Sequence, residues 1–231
     1  MEVLIANEIS KYSNWTALVY SQPGIGKTTM VKTLKGNTVV FSVDGMYQVL
    51  SGLPNVSILR MDSKNPSGEL GGFYKWVLKN LDKIDNIVID NLSTFQKFWL
   101  NVVAKETKSG MPEIKDYGIV DRVLLDFVSS MKDLGKNLLI FAHERTVEVT
   151  KESGGVYTQF QPDVRNLDAI MGIVPIVGRL LVVKDQEKQT ENRIVVLQPT
   201  LTTRAKDQLI GNLQTIDQME LLPTLQSEIE L

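Results

Sequence analysis

The sequence predicts an α/β fold with a mainly parallel twisted sheet, helices on both faces, and antiparallel hairpins toward its C-terminal end. Three observations predict it. Short apolar runs without polar alternation recur up to Ala142, the pattern of strands buried on both faces. Amphipathic helical segments separate these runs. Beyond Ala142 the runs come in pairs around polar turns, the pattern of hairpins.

In chain order, "TALVY" (Thr16 to Tyr20) is a strand that feeds a glycine-rich loop. "KTTMVKTLK" has helical spacing and ends at Gly36, a natural C-terminal cap. "TVVFSV" (Thr38 to Val43) and "VSILRM" (Val56 to Met61) read as buried strands. Glu69 to Lys83 reads as a helix with a Phe73, Trp76, Val77 face, and "NIVID" (Asn86 to Asp90) as an apolar strand ending in a carboxylate. Helices are expected over Thr94 to Lys105 and Ile119 to Leu134, separated by the loop "ETKSGMPEIKDYG". "NLLIFA" (Asn137 to Ala142) is a further buried strand. "TVEVT" and "VYTQF" then flank "KESGG", and "GRLLVVKD" and "NRIVVLQP" flank "QEKQTE", as two hairpins.

The 231 residues suit one such domain, placed at 1–211, followed by a short acidic tail at 212–231, expected to include a short helix, that holds Asp217, Glu220, Glu228 and Glu230 without Lys or Arg. A 43% hydrophobic and 23% charged composition with a net charge of −2 carries no global basic signature, so any nucleic-acid contact must be local. The absence of cysteine excludes disulfides and thiolate metal sites, and a single histidine excludes a His-based metal cluster. The N-terminal stretch lacks signal-peptide features, and no apolar run approaches the ~20 residues that span a bilayer. The expectation is a cytoplasmic protein without a membrane partner.

"SQPGIGKTT" (Ser21, Gln22, Pro23, Gly24, Ile25, Gly26, Lys27, Thr28, Thr29) follows a strand and opens a helix, the context of a phosphate-binding loop. Backbone N–H groups there converge on phosphate oxygens. Lys27 reaches the β- and γ-phosphates and Thr28 offers its hydroxyl to Mg²⁺. Ser21 stands where the usual spacing has its first glycine, which a residue of negative φ can fill. About sixty residues on, Asp90 ends an apolar strand and is the second Mg²⁺ residue, so ATP and Mg²⁺ are the expected cofactors.

Many ATPases place an acid directly after the metal carboxylate, but Asn91 stands here. A water-positioning carboxylate is then sought at the end of a neighbouring strand, where "FSVDG" offers Asp44, alternatively a plain turn residue. His143 ends "NLLIFA" and is either a γ-phosphate sensor or a hydrogen-bonded structural histidine. Glu144 and Arg145 are its polar neighbours. The catalytic set is thus Lys27, Asp44, Asp90 and His143. Arg145, Lys151 and Arg165 with Tyr157 and Phe160 could take single-stranded DNA by charge and stacking, or belong to a solvated hairpin whose rings pack on the sheet.

Taken in order, "VYSQPGIGKTT", "VVFSVDG", "NIVIDNLSTF", "LLIFAHERTV" and "GRLLVVKD…NRIVVLQPTLTTRAKDQL" resemble the phage-encoded P-loop ATPases with a shortened RecA-like core, from about Tyr12 to Gly211. That group includes the single-strand annealing proteins of phage recombination. The resemblance aligns Asp44 with a position usually held by Glu, and His143 with the residue that opens the first DNA-facing loop. It implies a RecA-like P-loop NTPase core with slow, DNA-stimulated ATP hydrolysis. It further implies binding and annealing of single-stranded DNA, and assembly into homo-oligomeric rings or filaments. The location would be the host cytoplasm, and the acidic tail either contacts a single-strand-binding or replication protein or is simply a frayed solvated end. Arg204 and Lys206 are candidates for a finger reaching a neighbouring subunit's γ-phosphate, or for simple caps of the sheet edge. A helicase-loader type of ATPase and a nucleotide-dependent interaction protein with little hydrolysis are the competing readings.

Overall fold

The computed structural model describes residues 14–152, 154–185, 190–211 and 213–227. The N-terminal stretch read for targeting, most of the "QEKQTE" turn, and Glu228 and Glu230 lie outside the described residues.

In chain order the elements are β1 (Thr16–Ser21), a 3-10 turn (Lys27–Thr33), β2 (Thr38–Ser42), β3 (Val56–Arg60), α1 (Pro66–Lys79), β4 (Asn86–Asp90), α2 (Leu92–Glu106), α3 (Ile114–Lys132), β5 (Asn137–Thr150) and β6 (Val156–Pro162). They continue with α4 (Leu167–Ile173), β7 (Ile176–Asp185), β8 (Thr190–Val196), β9 (Lys206–Asp207), β10 (Thr215–Asp217) and α5 (Leu221–Ser227). The sheet order is β10-β8-β7-β1-β5-β4-β2-β3, with β6 paired to β5 and β9 to β7. β3, β2, β4, β5, β1 and β7 run parallel, while β8 and β10 add antiparallel strands. This is the expected α/β fold, a mainly parallel sheet with helices on both faces and antiparallel C-terminal strands.

Successive side chains of a strand point to opposite faces, so each apolar run feeds two cores. Leu18, Tyr20, Val39, Phe41, Ile87, Ile89, Leu138 and Ile140 pack with Phe73, Phe95, Leu124 and Ile170 of α1 to α4. Ala17, Val19, Val40, Val88, Leu139 and Phe141 face the other way, onto Met30, Val31 and Leu34 of the 3-10 turn and Leu221, Leu222 and Leu225 of α5. Four helices cover one face. The other is covered by the turn after the phosphate loop and by the C-terminal helix.

Several expectations are corrected. The segment expected as a helix after the loop is a 3-10 turn, whose i→i+3 bonds tighten it. In the C-terminal stretch the expected short helix is present as α5, and a strand, β10, precedes it. β10 pairs Thr215–Asp217 with Val196–Ile194, and α5 buries its leucines, because their spacing forms a stripe that the second face of the sheet requires. β3 is an edge strand with half-exposed residues rather than a buried one. α1 starts earlier, at Pro66, where Asn65 accepts from Gly68 N at 3.2 Å as N-cap, and Trp76 sits at its rim while Leu70, Phe73 and Val77 are buried. α3 also starts earlier, inside the expected loop, because Glu113 and Asp116 close a capping box. No helix among the described residues is long and apolar enough to cross a membrane.

Gly36 does more than cap. Its φ is +87°, and an added Cβ would lie 2.6 Å from Asp85 Oδ2, which accepts from Asn37 N. Left-handed strain and the clash together predict that Gly36→Ala lowers unfolding free energy by about 2–4 kcal/mol in a urea titration.

Candidate functional site

Register brings the site together. Parallel pairing sets Ser21 beside His143 and Ser42 beside Asp90, so β1, β2 and β4 finish on one edge of the sheet and β5 passes it at His143. Val43 N donates to Asp90 O at 2.7 Å and carries that alignment on toward Asp44. A cleft of ≈ 430 Å³ lies on this edge, lined by the phosphate loop with Asp44, Asp90, Asn91 and His143. Met46 and Val49 form its apolar wall.

The loop needs its glycines at two points: φ is +81° at Gly24 and +104° at Gly26. Ser21 meets the condition set for it, since Asn166 alone among the described non-glycine residues has positive φ. Its hydroxyl also has a task. Lys27 Nζ donates to Ser21 Oγ at 3.0 Å and to the Ser21 and Gln22 carbonyls at 3.3 Å each. Burial pushes the Lys27 ammonium below its usual pKa, with Asp90, Asp44 and Glu144 pulling it back.

Thr28 Oγ1 donates to Asp90 Oδ2 at 2.6 Å, so the two expected metal residues meet across sixty-two positions of chain. Asp90 is 5% exposed, and burial raises its carboxyl from 3.8 to about 6, with the Asp44 charge adding to the rise. The Asp90–Asn91 peptide bond is cis. Asn91, 1% exposed, uses its whole amide: Nδ2 donates to Asp44 Oδ2 at 3.0 Å and lies 3.4 Å from His143 Nε2, and Oδ1 accepts from Thr94 N at 2.8 Å as N-cap of α2. A carboxylate at position 91 would repel Asp44 instead of bonding to it. Asp44 is a turn residue, with Oδ1 accepting from Met46 N at 3.0 Å, and its Oδ2 accepts from Asn91 Nδ2 at the cleft. His143 is fixed through its backbone by Ser93 Oγ at 2.8 Å, and burial, followed by Lys27 and Lys97, lowers its pKa.

The remaining candidates separate. Arg145, Lys151 and Tyr157 lie on the β5–β6 hairpin, with Lys151 Nζ 5.8 Å from the Tyr157 ring centre and the Arg145 guanidinium beside the Gln161 side-chain amide. Phe160 lies under the Arg179 guanidinium at 3.6 Å, and Arg179 pairs with buried Glu144 at 2.7 Å. Arg165 forks onto Asp121 and stacks on Tyr117. These two therefore serve packing rather than an outer face. Arg204 pairs with Asp168, and Lys206 donates to Met171 O at 2.8 Å, so both meet α4 of their own chain.

Three site contacts escaped the sequence. Arg179 and Arg193 lie in "GRLLVVKD" and "NRIVVLQP", which read only as hairpin strands, and Gln218 lies in the C-terminal stretch; nothing short of the strand pairing brings them near residues 20–26. Arg193 Nε donates to Ile25 O at 3.1 Å and Gln218 Nε2 to Gly26 O at 2.6 Å.

Residues 13–209 match the model of a family described as an AAA domain. No curated protein matches the chain. Among solved structures, the chain is similar to the KaiC-like protein PH0186 from the hyperthermophilic archaeon Pyrococcus horikoshii OT3, at 12% identity and a TM-score of 0.47 over 88% of each chain.

The raised Asp90 pKa has a definite sign. The folded chain holds this proton more tightly than the unfolded one, so the group favours folding below about pH 4 and loses that contribution as pH rises through about 6. At pH 7.5 the ligand-free Asp90→Asn variant should melt a few degrees above the unsubstituted chain, read by calorimetry, while losing magnesium-dependent nucleotide binding.

Proposed function

The chain belongs to this AAA-domain family of P-loop ATPases, and on that premise we propose that it binds ATP with Mg²⁺ in the cleft and hydrolyses it slowly. The observation that carries the reading is the 2.6 Å bond between Thr28 and Asp90, held at the mouth of a phosphate loop. Hydroxyl and carboxylate are hard oxygen donors. Among the described residues no cluster of three or more His, Asp or Glu could hold a metal alone. This donor set fits Mg²⁺, which takes one or two protein oxygens and completes its shell with phosphate and water. When bound, the cation would neutralise developing charge on the phosphates.

The chain's own groups do the rest. The backbone N–H groups of residues 24–29 receive the phosphates at the start of the 3-10 turn. Lys27 donates to three neutral oxygens, Ser21 Oγ and the Ser21 and Gln22 carbonyls, and exchanging these for anionic phosphate oxygens strengthens each bond. Asp44, oriented by Asn91, orients the attacking water and takes its proton, from one methylene further back than a glutamate would. Neutral His143 senses the terminal phosphate through Asn91. β5 runs without a break from His143 into the hairpin with Arg145, Lys151 and Tyr157, which supports single-stranded DNA as the coupled ligand. The ordered likeness to phage annealing ATPases supports annealing in recombination, by a homo-oligomeric ring or filament in the cytoplasm, as the task.

Lys27→Ala should abolish ATP binding in a calorimetric titration, and undiminished binding would sink the nucleotide reading. Asp44→Asn should keep the ATP Kd within a few-fold and lower kcat by about 10²-fold in a phosphate-release assay. Equal turnover would remove Asp44 from the chemistry. For DNA, a mobility shift of a single-stranded oligonucleotide should require ATP, weaken with salt, and fall in the Arg145→Ala/Lys151→Ala double variant. Failure of the unsubstituted chain to shift the strand at low salt with ATP would reject the DNA ligand.

A further inference from the structure

We propose that Arg193 and the segment 213–227 form a clamp that sets the phosphate loop in its binding conformation, with Gln218 as the main positioning residue. The inference rests on the nucleotide reading above and concerns how that site is held. A peptide unit is planar and trans, so its N–H points opposite to its C=O. The carbonyl of Ile25 and the N–H of Gly26 belong to one unit, and the carbonyl of Gly26 and the N–H of Lys27 to the next. Arg193 Nε holds the first carbonyl at 3.1 Å and Gln218 Nε2 the second at 2.6 Å. Pinning both carbonyls on the outer side turns both N–H groups the other way, as a phosphate nest requires. Gly26, with φ at +104°, has the conformational freedom to let these units rotate if they are released.

The clamp is built into the fold. Gln218 is 3% exposed, and its backbone N donates to Arg193 O at 2.9 Å, so the two side chains are fixed to each other by the β8–β10 pairing. A Cβ on Gly26 would lie 3.3 Å from Gln218 Nε2 and 3.8 Å from Arg193 Nε, so both pack against the glycine. At the far end of the same stretch, Gln226 accepts from Lys35 N at 2.9 Å and donates to Lys35 O at 3.0 Å. Between the two glutamines, Leu221, Leu222 and Leu225 share one core cluster with Met30, Val31 and Leu34. The loop and its 3-10 turn are therefore held at both ends and along the middle by a single C-terminal segment. A 3-10 turn this short has little stability of its own, so tertiary contacts decide its shape.

The test uses Gln218→Met, which keeps length and removes the donor, and Gln218→Glu, which keeps shape and offers only acceptors. Arg193→Met at a more exposed position serves as the variant least able to disturb folding. Hydrogen exchange of the amides of residues 24–29 in the ligand-free full chain should quicken about tenfold in both Gln218 variants, and less in Arg193→Met. Affinity for ATP and for inorganic tripolyphosphate should fall by the same factor, about tenfold, since the clamp acts on phosphate and not on the base. Unchanged loop exchange in the Gln218 variants overturns the clamp. So does a loss confined to ATP with tripolyphosphate binding intact, which would make Gln218 a base-side contact. Failure of the unsubstituted chain to bind either ligand rejects the nucleotide reading, and the exchange measurement still decides whether the loop is clamped.

Discussion

Parallel pairing of β1, β2, β4 and β5 is the constraint on which the rest of this structure depends. Each strand enters the sheet from the same side, β1, β2 and β4 end at one edge and β5 crosses it at His143, so Ser21, Asp44, Asp90 and His143 converge although they span more than a hundred residues of chain. The pairing order, not proximity in sequence, decides which of the four touch. β4 lies between β2 and β5. Asn91, the residue after it, is accordingly the group placed to bridge Asp44 and His143.

A parallel sheet with both faces apolar must be covered twice. One face has four helices. The other has a short 3-10 turn and α5, with the leucines of α5 completing the core that Met30, Val31 and Leu34 begin. The phosphate loop is thus attached to the thinner layer, and that layer is completed by the last described part of the chain. Packing of the second face and shaping of the loop become one event, because the segment that buries the leucines also carries Gln218 to Gly26 and Gln226 to Lys35.

The charges at the site are held in unequal environments. Asp90 is buried and opposed by the Asp44 charge, so its ionisation is costly in the bare protein. Lys27 is buried as well, and its ammonium is weakened by desolvation. The nearby Glu144–Arg179 pair is buried but satisfied, with Arg179 also bonded to Thr203 and stacked on Phe160. A paired charge of that kind fixes geometry. Charges left short of partners, as at Asp90 and Lys27, favour arrival of a ligand of complementary charge.

The strands and the phosphate loop with Lys27, Thr28 and Asp90 were legible in the sequence, because apolar runs and glycine spacing are local properties of the chain. Helix boundaries were less so: α3 begins inside a polar stretch because a capping box, not hydrophobicity, starts it. Asn91 read as a departure from an acidic position, and its three-way bonding emerged only when the strand order put Asp44 and His143 on either side of it. Phe160 and Arg165 had the composition of a nucleic-acid surface, yet Arg179 and Asp121 engage them from distant segments. Residues 212–231 read as a short helix and an acidic tail because charge is visible in sequence, whereas the bare sheet face awaiting their leucines is not. The sequence by itself determined the layered α/β class and the chemistry of the loop, since periodicity and spacing specify both. Tertiary structure alone decided which side chains hold that loop, because strand order sets which distant residues share an edge.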